Sequence, residues 1–378
     1  MSDNHMTAYK ARELFTDWLS HGLIRKDQQA ALEQFAVEQQ LARELPLYLR
    51  VMAGIGAFIT ALCLVGFLDA AHLISFDLKY TLILWGTILM GGAILLARVS
   101  GDKDHMIRHS FLVQTSFCFM GAGKILFVMG MAQLFKPNEG WGIAAATFLV
   151  TLATYNVYRM SIDRFLSSLA VLVSVFCNLM DVGYGHVPHD EFVIREIAIN
   201  AFFIAQLAVA SVLMANGRIK RDYIPLAYAF ISSLAVMAVF FATQSKIGFW
   251  MQQHAFSPVV MNVSLAVTLV LLIGWAAGEW SKLYKSEPLI LACLGALVLA
   301  AISAPGILLA VGLMVLGYAR HERLIVLLGV LLFPLFLSLY YYNLDLSLMT
   351  KSGVLVASGC VLLAGRAYMH YRKFDQEV

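Results

Sequence analysis

A lysine within an apolar stretch is the residue that most needs a physical account. Lys124 lies in Phe119-Met120-Gly121-Ala122-Gly123-Lys124-Ile125-Leu126-Phe127, with apolar residues on both sides. A charge near the centre of a membrane helix costs about 2.5–3.5 kcal/mol on insertion scales and as a rule faces a bundle interior or cavity beside a partner. Counted from Phe111 at about 1.5 Å per residue, Lys124 is about 20 Å along its helix, in the half of the bilayer away from the termini. Asp181, at the outer end of the next apolar run but one, lies at a matching depth, so a Lys124 to Asp181 pair is the expected arrangement. Asn178, Gln114, Asn200 and Gln206 are further polar groups inside apolar runs. Two readings of the pair stay open: a lysine that snorkels or fixes helix packing, or a site for an anion or a coupled proton.

Two outer segments also carry chemistry. The loop Asp181-Val182-Gly183-Tyr184-Gly185-His186-Val187-Pro188-His189-Asp190-Glu191 spaces His186 and His189 three apart among carboxylates. That grouping is a weak divalent-ion pattern, and a solvated polar loop is the plainer reading, since no second cluster completes a ligand set. No metal site is therefore expected. The second segment, Tyr340-Tyr341-Tyr342-Asn343-Leu344-Asp345-Leu346-Ser347-Leu348-Met349-Thr350-Lys351, has tyrosines suited to an interfacial aromatic belt, Asp345 or Ser347 to cap the final helix and a headgroup-reaching Lys351. Tyr155, Tyr158 and the Phe and Met residues inside apolar runs read as packing.

The elements that must position these groups are membrane helices. Of the 378 residues 60% are apolar and 13% charged, about half the charge of an ordinary soluble domain, which excludes a soluble globule. Apolar runs fall at about 49–70, 79–98, 109–133, 141–158, 163–183, 196–215, 223–244, 259–279, 288–302, 306–319, 323–342 and 350–368. The expected fold is thus all-α: a polytopic membrane bundle of about twelve helices over 47–370, preceded by a short cytoplasmic helical hairpin over 1–46 and followed by a tail over 371–378. The hairpin rests on the one-face spacing of Leu14, Phe15, Trp18 and Leu19 and on Leu32, Phe35 and Ala36 in a second helix. The runs 288–302 and 306–319 are short, so this pair either crosses as a hairpin or is re-entrant.

Charge placement sets the orientation. With twelve spans, 21 of the 27 Lys and Arg residues fall on the side of the termini and five opposite, Lys124 lying within a span. Both termini are therefore expected in the cytoplasm, with the chain in the bacterial inner membrane. The pattern excludes a nucleic-acid binder, because no basic patch interleaves with aromatics. The five cysteines, all inside apolar runs and widely spaced, indicate neither disulfides nor zinc. No phosphate-binding loop, nucleophile elbow or dinucleotide fingerprint occurs in a fitting context, so no catalytic residue and no cofactor are assigned. Gly54/Gly56, Gly91/Gly92, Gly121/Gly123 and Gly274-Trp275-Ala276-Ala277-Gly278 mark flat helix faces, within the bundle or at a homo-oligomer contact.

Pro305-Gly306-Ile307-Leu308-Leu309, Gly317-Tyr318-Ala319-Arg320, the Tyr341 to Lys351 stretch and Gly365-Arg366 resemble the C-terminal half of the bacterial membrane family called domain of unknown function 4401. Trp18-Leu19-Ser20-His21-Gly22-Leu23-Ile24 and the helix after it resemble domain of unknown function 2157. The resemblance implies a multi-pass inner-membrane protein, often encoded beside a small protein with a GDYXXLXY-type motif, and it implies no reaction. The leading functional expectation is a membrane component of a cell-envelope complex, holding a periplasm-facing partner through His186, His189, Tyr341, Asp345 and Lys351. The alternative is a transporter or flippase of a small or lipidic solute, its path lined by Lys124, Asp181 and Asn178. A membrane enzyme acting on a lipid-linked substrate comes third.

Overall fold

In hydrocarbon no water satisfies a peptide group, so each apolar run must bond its backbone internally, and a helix does so within one segment. The computed structural model describes residues 47–71, 78–99, 106–135, 140–180, 189–215, 223–243, 259–277, 287–302, 304–343 and 356. The first eleven apolar runs are helices close to their expected bounds. They are α1 (Leu47–Ala70), α2 (Lys79–Val99), α3 (Met106–Leu134), α4 (Gly140–Tyr155), α5 (Ser161–Met180), α6 (His189–Ala215), α7 (Ile224–Thr243), α8 (Val259–Ala276), α9 (Glu287–Ile302), α10 (Pro305–Arg320) and α11 (Arg323–Asn343). No strand occurs among the described residues. The expected hairpin over 1–46, the twelfth run beyond helical Val356, and the tail over 371–378 lie outside them.

Seven of these helices are long and apolar enough to cross a membrane, and the described parts of α1, α4, α9 and α10 form shorter apolar helices. Exposed apolar side chains such as Leu95, Leu152, Ile197 and Leu331 point away from neighbours along most of them, as lipid-facing surfaces do. The chain is a helical membrane protein. It divides into two compact units, the first ending at Asp163 and the second starting at Arg164.

In the first unit α3 is central, with α1, α2 and α4 packed on it. The α2 and α3 backbones meet at glycines. A Cβ on Gly86 would lie 2.7 Å from the Phe127 nitrogen and 2.8 Å from the Gly123 oxygen, and one on Gly123 would lie 2.8 Å from the Gly86 oxygen. Neither backbone atom can yield, so only glycine permits this approach. Of the small-residue faces expected from sequence, Gly123 belongs to this seam, whereas Gly91, Gly92 and Gly121 have nothing within 4 Å of a notional Cβ.

In the second unit one apolar cluster runs through α5 to α11, with Phe203, Met237, Leu308 and Phe336 fully enclosed. The short α9 and α10, 16 residues each and so about 24 Å long, contribute Ala296 and Ile307 to it. Pro305 opens α10 at a position that needs no backbone donor. His321 closes the helix with φ 56, which lets the Glu322 N–H reach the Gly317 oxygen at 2.9 Å.

Candidate functional site: a buried ion pair and the cleft beside it

Lys124 does have a carboxylate partner, and it is Asp163. The Lys124 Nζ donates to Asp163 Oδ1 at 2.8 Å and to Oδ2 at 2.7 Å. The two side chains are 11% and 6% exposed, so the pair is removed from solvent on both sides. This corrects the expected pairing with Asp181, which follows the last residue of α5, whereas Asp163 is in its first turn.

The reason lies in helix length. The 29 residues of α3 make a rod of about 43 Å, while the 16 residues of α4 reach about 24 Å, short of an apolar core of about 30 Å. The chain turns back at 156–160 level with Ser116, so the first turn of α5 begins about 8 Å inside the apolar segment that starts at Phe111. A helical side chain leans toward the N-terminus of its own helix, so Lys124 reaches down α3 toward that turn. Asp163, in the first turn of α5, also meets the positive end of the helix dipole.

A short polar network adjoins the pair. Ser116 Oγ donates to the Ala93 oxygen at 2.7 Å, which leaves its lone pairs for the Tyr158 hydroxyl at 2.9 Å. Tyr158 also lies 3.3 Å from Met160 Sδ. Its side chain is enclosed, as the packing reading expects, but the hydroxyl joins the α4 to α5 turn to α3.

Beside the network is an open cleft of about 310 Å³, formed by the end of α2, the lower part of α3 and the turn at Val157 to Met160. Arg98 and Arg159 line it and are exposed. The hydroxyl-bearing Ser116 and Tyr158 also line it, and its walls are otherwise apolar.

The other sequence-derived site residues are not gathered here. Asn178 Nδ2 donates to the Ser174 oxygen one turn back at 2.6 Å. Asp181, His186, Asp345 and Lys351 lie outside the described residues, and His189 is the first residue of α6 with its side chain undescribed. Tyr341 packs edge-to-face on Tyr342, ring centroids 5.6 Å apart, near the end of α11. Among the described residues no group of three His, Cys, Asp or Glu could hold a metal ion. In the second unit Gln206 is buried with Nε2 3.4 Å from Met237 Sδ, and no hydrogen bond reaches its Oε1.

The family described as "Domain of unknown function (DUF4401)" matches residues 46–372. The chain belongs to this family. The DUF4401 region takes in every described helix, so the early spans and the C-terminal motif belong to one family unit. The likeness of the N-terminal region to family 2157 stays an expectation. Neither curated proteins nor solved structures give a match.

Proposed function

We propose that this DUF4401 member is a carrier of a small anionic solute, moved together with a proton, with Lys124 and Asp163 as the shared site. The observation that carries this reading is the two-pronged, largely buried pair between α3 and the first turn of α5. An intramembrane ionisable pair is by default a functional-site hypothesis. The chemistry follows from charge conservation. With the pair closed, the site is neutral. A proton on one Asp163 oxygen releases Lys124, and an anion then takes the place of the carboxylate. A proton and a monovalent anion together add no net charge, so loading costs little in a low-dielectric interior. The reverse exchange on the other side unloads both.

The same reading places the chain in the bacterial inner membrane with its Lys- and Arg-rich loops in the cytoplasm. It is placed above the envelope-complex reading because the buried ion pair is a site with a defined geometry, whereas Tyr341 packs on Tyr342 of its own helix.

The test is flux in proteoliposomes containing a trapped pH-sensitive dye, with inward gradients of succinate, gluconate and inorganic phosphate imposed one at a time. Acidification of the lumen with at least one anion is expected from the wild type and not from Lys124→Met/Asp163→Leu, whose fold is checked by its elution profile. A wild type indistinguishable from the double variant for every anion overturns the carrier reading.

A further inference from the structure

The cleft at the α4 to α5 turn has features of a binding site that the ion pair does not use. Arg98, in the last turn of α2, and Arg159, in the turn itself, both line it and are exposed. Among the described residues no carboxylate pairs with either arginine. Two exposed guanidiniums on one concavity suit an anion, and their planar donor forks match phosphate oxygens in two-pronged fashion. At about 310 Å³ the cleft is at the small end of ligand sites, room for a headgroup.

The walls specify the rest of the occupant. Ile94, Val113 and Met160 present apolar surface inside the cleft, and Val157 lines it while being 51% exposed. Leu95 and Val99, flanking Arg98 on α2, are 63% and 60% exposed. A free polar anion would leave this surface uncovered; a ligand with a hydrocarbon tail covers it. Depth agrees with this. Val113 and Ser116 are two and five residues inside the spanning segment that starts at Phe111, so about 3 to 8 Å from its end. That is the level at which headgroups give way to acyl chains.

We infer that this cleft binds the phosphate group of an anionic phospholipid, with Arg98 and Arg159 on the phosphate and the tail against the adjoining α2 surface. The inference does not depend on the carrier reading, because it uses neither Lys124 nor Asp163.

The test uses the full chain in nanodiscs of phosphatidylcholine with 20% phosphatidylglycerol, followed by native mass spectrometry of the released protein. The wild type should retain one more phosphatidylglycerol than Arg98→Gln/Arg159→Gln. The control Arg320→Gln/Arg323→Gln, which removes equal charge elsewhere, should match the wild type. Should the arginine variant aggregate, Ala97→Phe fills the cleft and leaves both arginines, and it should lose the same lipid. A second arm titrates inorganic phosphate into phosphatidylcholine-only nanodiscs by calorimetry. Preferential phosphatidylglycerol retention identifies the lipid, and saturable phosphate binding that both cleft variants abolish, without lipid retention, identifies the free ion as the source of the same chemistry. Equal behaviour of wild type and cleft variants in both arms overturns the site.

Discussion

Removing one partner of the Lys124 to Asp163 pair should destabilise the protein far more than removing both. At 2.7 Å and an effective dielectric of about 20, the attraction is about 6 kcal/mol before desolvation is subtracted. Stranding one member of such a pair typically costs about 3–5 kcal/mol, while replacing both by apolar groups is often close to neutral. The stranded charge has a ceiling, however, since it can be neutralised. Making an ordinary carboxyl neutral costs about 4 kcal/mol at pH 7 and about 1.5 kcal/mol at pH 5; for an ordinary lysine the figures are about 4.6 kcal/mol at pH 7 and about 1.9 kcal/mol at pH 9. In Lys124→Met the folded state then takes up a proton that the unfolded chain does not hold, so its deficit shrinks as pH falls. In Asp163→Leu the folded state gives one up, so its deficit shrinks as pH rises. The double variant should show neither trend. The assay is thermal unfolding in detergent at pH 5, 7 and 9, where about 4 kcal/mol corresponds to roughly 5 °C for a chain of this size. A double variant as unstable as either single one, or a Lys124→Met deficit below about 1 kcal/mol at pH 7, would refute the reasoning.

Other outcomes follow from the same geometry. Gly86→Val should abolish a monodisperse elution peak because its Cβ would collide with backbone, whereas Gly91→Ala should be neutral or raise the melting temperature by up to a few degrees. Tyr158→Phe should cost about 1 kcal/mol in the same melting assay, the value of one ordinary hydrogen bond, while Ser116→Ala should cost somewhat more because it removes the bonds to both the Ala93 oxygen and the Tyr158 hydroxyl. Cysteines placed at Arg159 and at Glu322 in a cysteine-free background should label from the same side of sealed vesicles, the cytoplasmic one; labelling from opposite sides would break the orientation argument. An outer-face partner, if one is held, should be lost from co-purification on Tyr341→Ala with the bundle intact.

Sequence periodicity and charge bias were enough to find the helices, because in a membrane a long apolar run has few other options. Lys124 was legible for the same reason: its cost stands out against Ile125 and Leu126. Its partner was not, because depth was counted as though every connection returned to the bilayer surface. Asp163, the first residue of the run at 163–183 and between Arg159 and Arg164, then reads as lying at the cytoplasmic surface. The run at 141–158 does not betray this, because only the structure shows α4 ending at Tyr155 and the chain turning before its last apolar residues are used as helix. The close seam was only partly visible as well. Gly123 and Gly91 are alike in sequence, and what separates them is rotation about the helix axis, which places Gly123 against Gly86 and leaves Gly91 unopposed.

The position of the ion pair along α3 also sets how a charge leaving it would feel the membrane potential. From Lys124 to the far end of α3 is ten residues, or about 15 Å, half of a full apolar core. A unit charge crossing the whole potential gains about 2.3 kcal/mol per 100 mV. About half of this work would therefore be done between the ion pair and the far surface. A lone proton or anion leaving outward would then be voltage-dependent, and a proton and monovalent anion leaving together would not be.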